Sequence, residues 1–175
     1  MTITGLKSLS AKLSKKIPQQ AKSRAKQALA QSADELVALQ KSLAPSKTGK
    51  LRDSITASFG GEQTPKYAAF RGRKQGKSRH SKVMSGADPD MTVVVTAGNN
   101  AVRYAHLVEF GTQKHTITAK NAPALHLNGG IFVEEVEHPG AQASPFFYPA
   151  YRTLRKRMKS RISREIRKGI KEGSR

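Results

Sequence analysis

Apolar residues recur at steps of three and four in two long stretches, one toward each end of the chain, and this spacing limits what can lie between them. From Pro18 the positions are Ala21, Ala25, Ala28, Leu29, Leu36, Leu39 and Leu43, and Ala44-Pro45 stops the pattern. After Ser144, a candidate cap, the positions Phe147, Tyr151, Leu154, Met158, Ile162, Ile166 and Ile170 repeat it opposite a dense cationic face. The first stripe is narrow and rich in alanine, so a neighbouring element can approach closely. Leu6, Leu9, Leu13 and Ile17 carry the spacing upstream, which predicts a shorter helical arm ahead of Pro18.

Between these helices the period shortens. The stretch "APSKTGKLRDSITASFG" reads as a Pro/Gly loop, a helical turn that Thr48 could cap, and a strand around Ile55 to Phe59. "MTVVVTAG" is the clearest strand, with three valines flanked by threonines. "NNAVRYAHLVEFG" places Val102, Ala105, Leu107, Val108 and Phe110 on a short helix that Gly111 ends. "HTITA", "ALHL" and "GGIFVEEVEHPG" follow as strand-like pieces joined by turns. The expected class is α+β: an antiparallel β-sheet packed with a long N-terminal helix, a short central helix and a long C-terminal amphipathic helix. The absence of repeated strand-helix alternation argues against a doubly wound parallel sheet. At 175 residues the expectation is one domain. Its parts would be a helical arm and long helix over 1–44, an α+β core over 45–150 with a basic loop or hairpin insert at 60–90, and a cationic C-terminal helix over 151–175.

Charge is distributed as unevenly as apolarity. The formal net charge is +20, yet Ala97 to Ser144 is close to neutral. The excess lies in the first thirty residues, in Lys66 to Lys82, and in the tail from Arg152, where Glu165 and Glu172 are the sole acids. Such a layout implies a polyanionic neighbour. Tyr67 and Phe70 stand just before the run of bases that opens at Arg71, a pattern that resembles a basic arm with aromatic interleaving for contact with phosphates and bases. Arg71, Arg73, Lys74, Lys77, Arg79 and Lys82, with Arg155, Arg157, Arg161 and Arg164 on the last helix, are the candidates for contact with DNA or an acidic partner. No zinc finger, RNP-type strand, GXXG loop or helix-turn-helix is evident, so that contact would be independent of sequence.

Catalytic patterns are weak. The chain has no cysteine, which removes disulfides and thiolate chemistry together. His106 and Glu109 stand three apart, but His106, His115, His126 and His138 lack HExxH spacing and scatter over different elements, so no metal and no cofactor are expected. No G-x-S-x-G or phosphate loop is present, and "TGK" at Thr48 to Lys50 lacks the upstream glycine of one. Glu134, Glu135 and Glu137 read as a solvated strand edge. The expectation is a non-enzyme. The N-terminus lacks the apolar run of a signal peptide and no window approaches a membrane span, so a soluble chain made in the cytosol is expected, with no membrane partner. Glu109, an acid in the neutral body, is expected to receive an Arg or Lys from an adjacent segment or the next subunit.

Taken together, "APSKTGKLRDSI", "YAHLVEFGT" and "HPGAQASPFFYPAYRTL" resemble three signature segments of the HK97 gp10-like phage head-tail joining family, over roughly Leu36 to Leu154. The long basic insert, Lys66 to Asp90, and the extended cationic C-terminal helix depart from that pattern. The resemblance implies a structural virion protein that forms a ring, hexameric or dodecameric, at the neck. It would contact the head-tail connector on one side and the tail terminator or tail tube on the other, with genomic DNA in the lumen. On this reading Tyr104, Leu107, Val108 and Phe110 anchor the short helix to the sheet and Gly111 turns the chain out of it. Pro145, Phe146, Phe147 and Pro149 fix the entry angle of the last helix. These residues, with His106 and Glu109, would make the subunit packing surface.

Overall fold

In the computed structural model, which describes residues 6–59, 89–119, 123–127 and 129–174, the two periodic stretches pair as antiparallel helices. The expectations for the basic insert, including Arg71, Arg73, Lys74, Lys77, Arg79 and Lys82, lie outside the described residues.

Helix α1 (Leu6–Ala11) passes through a wide turn, Lys12–Lys16, into α2 (Ile17–Leu43). A shorter helix precedes Pro18, as the sequence predicts, but the proline does not break the path between them. The N–H of Ile17 reaches back to the carbonyl of Lys12. That five-residue step widens the helix where a proline ring would otherwise strike the carbonyl four residues earlier. Helix α2 ends when Ala44 turns extended, ψ 128°, as a residue before proline must.

Its partner is α5 (Phe147–Ser174). At one end Leu36 packs with Ala150 and Leu154, supported by Leu39, Val95 and Met158. At the other end the seam is made of glycine. A Cβ built on Gly169 would sit 2.7 Å from Ala21 Cα, and one on Gly173 would sit 2.7 Å from Ile17 Cα. Ala25 and Ala28 are buried on the facing stripe of α2, so small residues bring the two backbones together. The stripe expected on α5 is shifted accordingly: Tyr151 and Ile170 are exposed, while Ala150, Leu154, Gly169 and Gly173 are buried.

Ion pairs line this seam. Arg24 bonds Glu172 through two of its nitrogens, one at 3.1 Å, and Glu165 at 3.2 Å. Glu35 receives Arg157 at 2.9 Å and Arg161 at 2.5 Å, and Arg161 also donates to Ser32 Oγ. The hydrogen bond from Lys168, aided by that ammonium's charge and by Arg24 and opposed by burial, holds the Glu165 carboxyl below its ordinary range. This contribution is complete above the ordinary glutamate value and is lost as pH falls through the lowered folded-state value.

Beside the helices lie α3 (Lys50–Asp53), β1 (Thr56–Phe59), β2 (Val93–Thr96) and α4 (Ala105–Phe110), with a short 3₁₀ turn at Pro89–Met91. Thr48 does not cap α3; the chain enters it from Gly49 at φ +76°, with no side-chain cap. Ser54 closes the turn instead. Its hydroxyl donates to the Leu51 carbonyl at 2.6 Å and accepts the Gly98 N–H at 3.1 Å, which ties the turn to the end of β2. Strands β1 and β2 pair antiparallel from Thr56 with Thr96 to Phe59 with Val93. A second core of Ala44, Leu51, Ile55, Ala97, Val102, Ala105 and Phe146 gathers around this corner.

Antiparallel pairing is as expected, but among the described residues it is divided into three two-stranded ribbons rather than one sheet. Strands β3 (His115–Thr118) and β6 (Glu135–His138) form one, and β4 (Leu125–Leu127) and β5 (Ile131–Val133) another. The last two lie along a single arm.

Replacing Gly169 with alanine adds helix propensity worth about 1 kcal/mol, yet it forces backbone against backbone, an overpacking cost of about 1–3 kcal/mol. Gly169→Ala is expected to lower the thermal midpoint by a few degrees, read by circular dichroism; an increase would show that the helices do not meet here.

Candidate functional site

The segment "YAHLVEFGT" is built upward from a turn. Asn99 Oδ1 accepts the N–H groups of Ala101 and Val102, both at 2.9 Å, and so drives Val102 into the core. Helix α4 starts three residues later, and its six residues divide sharply. Ala105 and Glu109 are buried and Val108 packs against the core, while His106, Leu107 and Phe110 face outward, as does Tyr104 just ahead of the helix. Tyr104 is 40%, Leu107 41% and Phe110 52% exposed. The expectation that Tyr104, Leu107 and Phe110 anchor this helix to a sheet is therefore corrected. With β1 and β2 complete as a two-stranded ribbon and Ala105 and Val108 already filling the inner face, the helix presents its larger residues to the outside.

Glu109 is the polar residue of the inner face, 6% exposed. Its Oε2 accepts the N–H groups of Phe146 and Phe147, each at 2.8 Å, and its Oε1 accepts the N–H of Tyr148 at 3.0 Å. The first four N–H groups of a helix have no partner within the helix. Here three go to one carboxylate, and the fourth position is Pro149, which has no N–H to satisfy. The negative charge also lies at the positive end of a 28-residue helix. The partner expected for Glu109, an arginine or lysine, is thus replaced by backbone amides. Ser144 does not cap the helix either; its N–H donates to the Val108 carbonyl at 2.8 Å, and the helix begins at Phe147.

The rest of the joint follows from this cap. Phe146 is 1% exposed and meets the half-buried Phe147 edge to face, with ring centroids 6.4 Å apart. Pro145, ahead of the helix, is exposed. Phe110 lies 5.9 Å from the Tyr148 ring, so the outer face of α4 continues onto the first turn of α5. From α2, the fully buried Gln40 donates its Nε2 to the Phe147 carbonyl at 3.2 Å. Gly111 then turns the chain away at φ +69°, where a Cβ would fall 2.6 Å from the Ala141 carbonyl oxygen. Apolar spacing alone passes over Gln40, although it stands four residues after Leu36 in the buried stripe of α2.

The four described histidines do not converge. His106 is exposed on α4, His115 and His138 face each other across β3 and β6 with centroids 5.1 Å apart, and His126 lies against Phe132. Among the described residues no group of three or more His, Asp or Glu side chains is placed to hold a metal. Of the cationic candidates on α5, Arg157 and Arg161 are engaged with Glu35, and Arg155 and Arg164 are exposed. A groove of about 500 Å³ runs along this helix, lined by Ser160, Ser163, Arg164, Arg167, Lys168 and Lys171. No described helix is long and apolar enough to cross a membrane.

If Glu109 is the cap of α5, Glu109→Gln should cost about 1–3 kcal/mol, through the lost charge at the helix terminus and one poorly satisfied amide. Glu109→Ala, which removes every acceptor, should cost more. Thermal unfolding of the three proteins provides the comparison, and equal midpoints would remove the cap from the account.

A family model described as "Bacteriophage HK97-gp10, putative tail-component" matches residues 7–111, a span from α1 to the end of α4. It reaches further upstream than the resemblance read from Leu36 and stops short of the "PFFYPA" entry into α5. No curated protein and no solved structure matches the chain.

Proposed function

This chain belongs to the HK97-gp10-like family of bacteriophage tail components, and from that premise we propose that it is a structural virion protein which forms a ring at the head-tail junction. It joins the connector to the tail terminator or tail tube and surrounds the DNA path. Its role is to be a joint rather than a catalyst, and its place is the neck of the virion.

One observation carries this reading: α4 turns Tyr104, Leu107 and Phe110 outward while Glu109 locks its inner face to α5. A six-residue helix fixed so firmly, with three large apolar side chains on its outer face, is built to be covered by a partner. His106 shares that face. Rings close through contacts of this kind when one patch of each subunit meets a different patch of the next.

A second reading, sequence-independent binding of nucleic acid, draws on the groove along α5 and its rim of Arg164, Arg167, Lys168 and Lys171. Inside a ring the two readings are compatible, because a cationic helix facing the lumen would meet phosphates without reading bases. As the main function of a free monomer, it would need tight binding without neck partners.

In a phage-production assay Leu107→Asp, a change at an exposed position, should leave the purified protein folded while unjoined heads and tails accumulate; normal yield of joined particles would count against the joint. For the second reading, the affinity of the wild-type chain for duplex DNA should fall steeply with salt, by about 0.9 in log-log slope for each phosphate contacted. Arg164→Glu should flatten that slope, and an unchanged slope would remove α5 from the DNA contact.

A further inference from the structure

Strands β3 to β6 make two antiparallel ribbons in succession along the chain. The pairs of the first run in a single register from Thr112 with Ala141, through His115 with His138, to Thr118 with Glu135. Glu134 alone then separates β6 from β5, and pairing resumes at Leu125 with Val133 and closes at Leu127 with Ile131. The root ribbon, Thr112 to Thr118, can by itself extend about 20 Å at the usual rise per residue. The root is close-packed: Thr112 and Ala141 exchange backbone hydrogen bonds at 2.9 and 3.2 Å, and a Cβ on Gly140 would collide with the Thr112 carbonyl.

Despite this firm root the arm carries no core of its own among the described residues. No described residue between Gly111 and Pro145 is buried, and a two-stranded ribbon is at best marginally stable alone in water. Its tip is apolar, with Phe132 69%, Ile131 58% and Leu127 37% exposed. The arm is also the acidic part of a basic protein. Residues 112–141 carry three carboxylates against two lysines, while the remainder of the chain carries nine carboxylates against thirty lysines and arginines. Glu134 and Glu135, both exposed, flank the apolar tip.

We propose that this arm reaches a second copy of the chain and seats Ile131 and Phe132 on the outward face of that copy's α4 and the first turns of its α5. The inference rests on the ring reading above and names the two surfaces that would meet. The receiving face matches the tip in kind. Leu107 and Phe110 offer apolar area, and Tyr151, 40% exposed, extends it one turn beyond Tyr148. Arg152 and Arg155, one turn on from Tyr148 and Tyr151 and both exposed, supply a cationic rim for Glu134 and Glu135. The arm leaves the chain at Gly111, directly after α4, and its tip and the face on α4 and α5 are two separate surfaces. The contact is therefore between two different patches, and repeated around an axis it closes a ring.

Sedimentation of the full chain tests this with Phe132→Asp on the arm and Leu107→Asp on the face, both at exposed positions and both checked for native circular dichroism. The wild type should form multimers and each variant alone should be a monomer. An equimolar mixture of the two variants should form a one-to-one dimer, since one intact arm and one intact face remain. A charge exchange leaves the apolar side chains in place: the pair Glu134→Lys and Glu135→Lys should weaken association, and adding Arg152→Glu and Arg155→Glu to the same chain should restore it. Multimers indifferent to all these changes would overturn the arm-to-face contact and leave the ring standing. A wild type that stays monomeric at every concentration would overturn the ring reading itself.

Discussion

One carboxylate sets the geometry of the molecule. Glu109 accepts three amides at the start of α5, and a 28-residue helix held at its first turn has its direction determined along its whole length. That direction lays α5 against α2, where Gly169 and Gly173 let the backbones meet. The same bond rotates α4 so that its acid faces inward and its aromatic and leucine side chains face outward. An acid in so basic a chain is thus explained by a positive helix terminus rather than by a positive side chain. The distinction matters because backbone amides are supplied by the fold itself and need no neighbour.

How much of this was legible follows from which interactions are local in sequence. The two long helices, the α+β class and the strands at "TASF", "VVVT" and "HTIT" are visible because side-chain periodicity is a local property. The end of α4 at Gly111 is equally local. The cap is not, since Glu109 reaches amides 37 to 39 residues away, and familiar capping patterns look only three residues ahead. The glycines of α5 mislead for another reason: a scan for apolar positions passes over Gly169 and Gly173, although they are the seam, and so selects Ile170, which is exposed. Outward Tyr104, Leu107 and Phe110 were assigned to a sheet because large apolar residues are normally buried. Only the position of Glu109 on the opposite face reveals which way the helix turns.

Two kinds of cohesion divide the structure. Around α4 and β1–β2 it is apolar, with Ile55, Val102 and Phe146 each at most 2% exposed. Along the distal half of the helix pair it is backbone proximity with a ladder of Arg24, Glu165, Glu172, Glu35 and Arg161. Solvent-accessible ion pairs contribute little each, so the distal end depends on close packing for stability and on charge for register. The family match runs from α1 through α4, yet the residue that orients α5 lies inside it. The matched segment therefore constrains the helix beyond it through a bond rather than through sequence.

This use of acids shapes what the surface can do. Glu35, Glu165 and Glu172 are committed to arginines between the helices, and Glu109 to the cap, so few carboxylates are left to offset the outward bases of α5. Two bodies of this kind repel at close range unless something negative lies between them. Two sources of negative charge fit that gap: the glutamates of the arm from another copy, and a polyanion such as DNA along the helix. They occupy different places, because Arg152 and Arg155 border the face continuous with α4, whereas Arg164, Arg167 and Lys171 border the groove toward the far end. On the readings proposed above, one helix would serve a subunit contact at its capped end and a phosphate contact at its free end. Both surfaces are oriented by the same buried carboxylate.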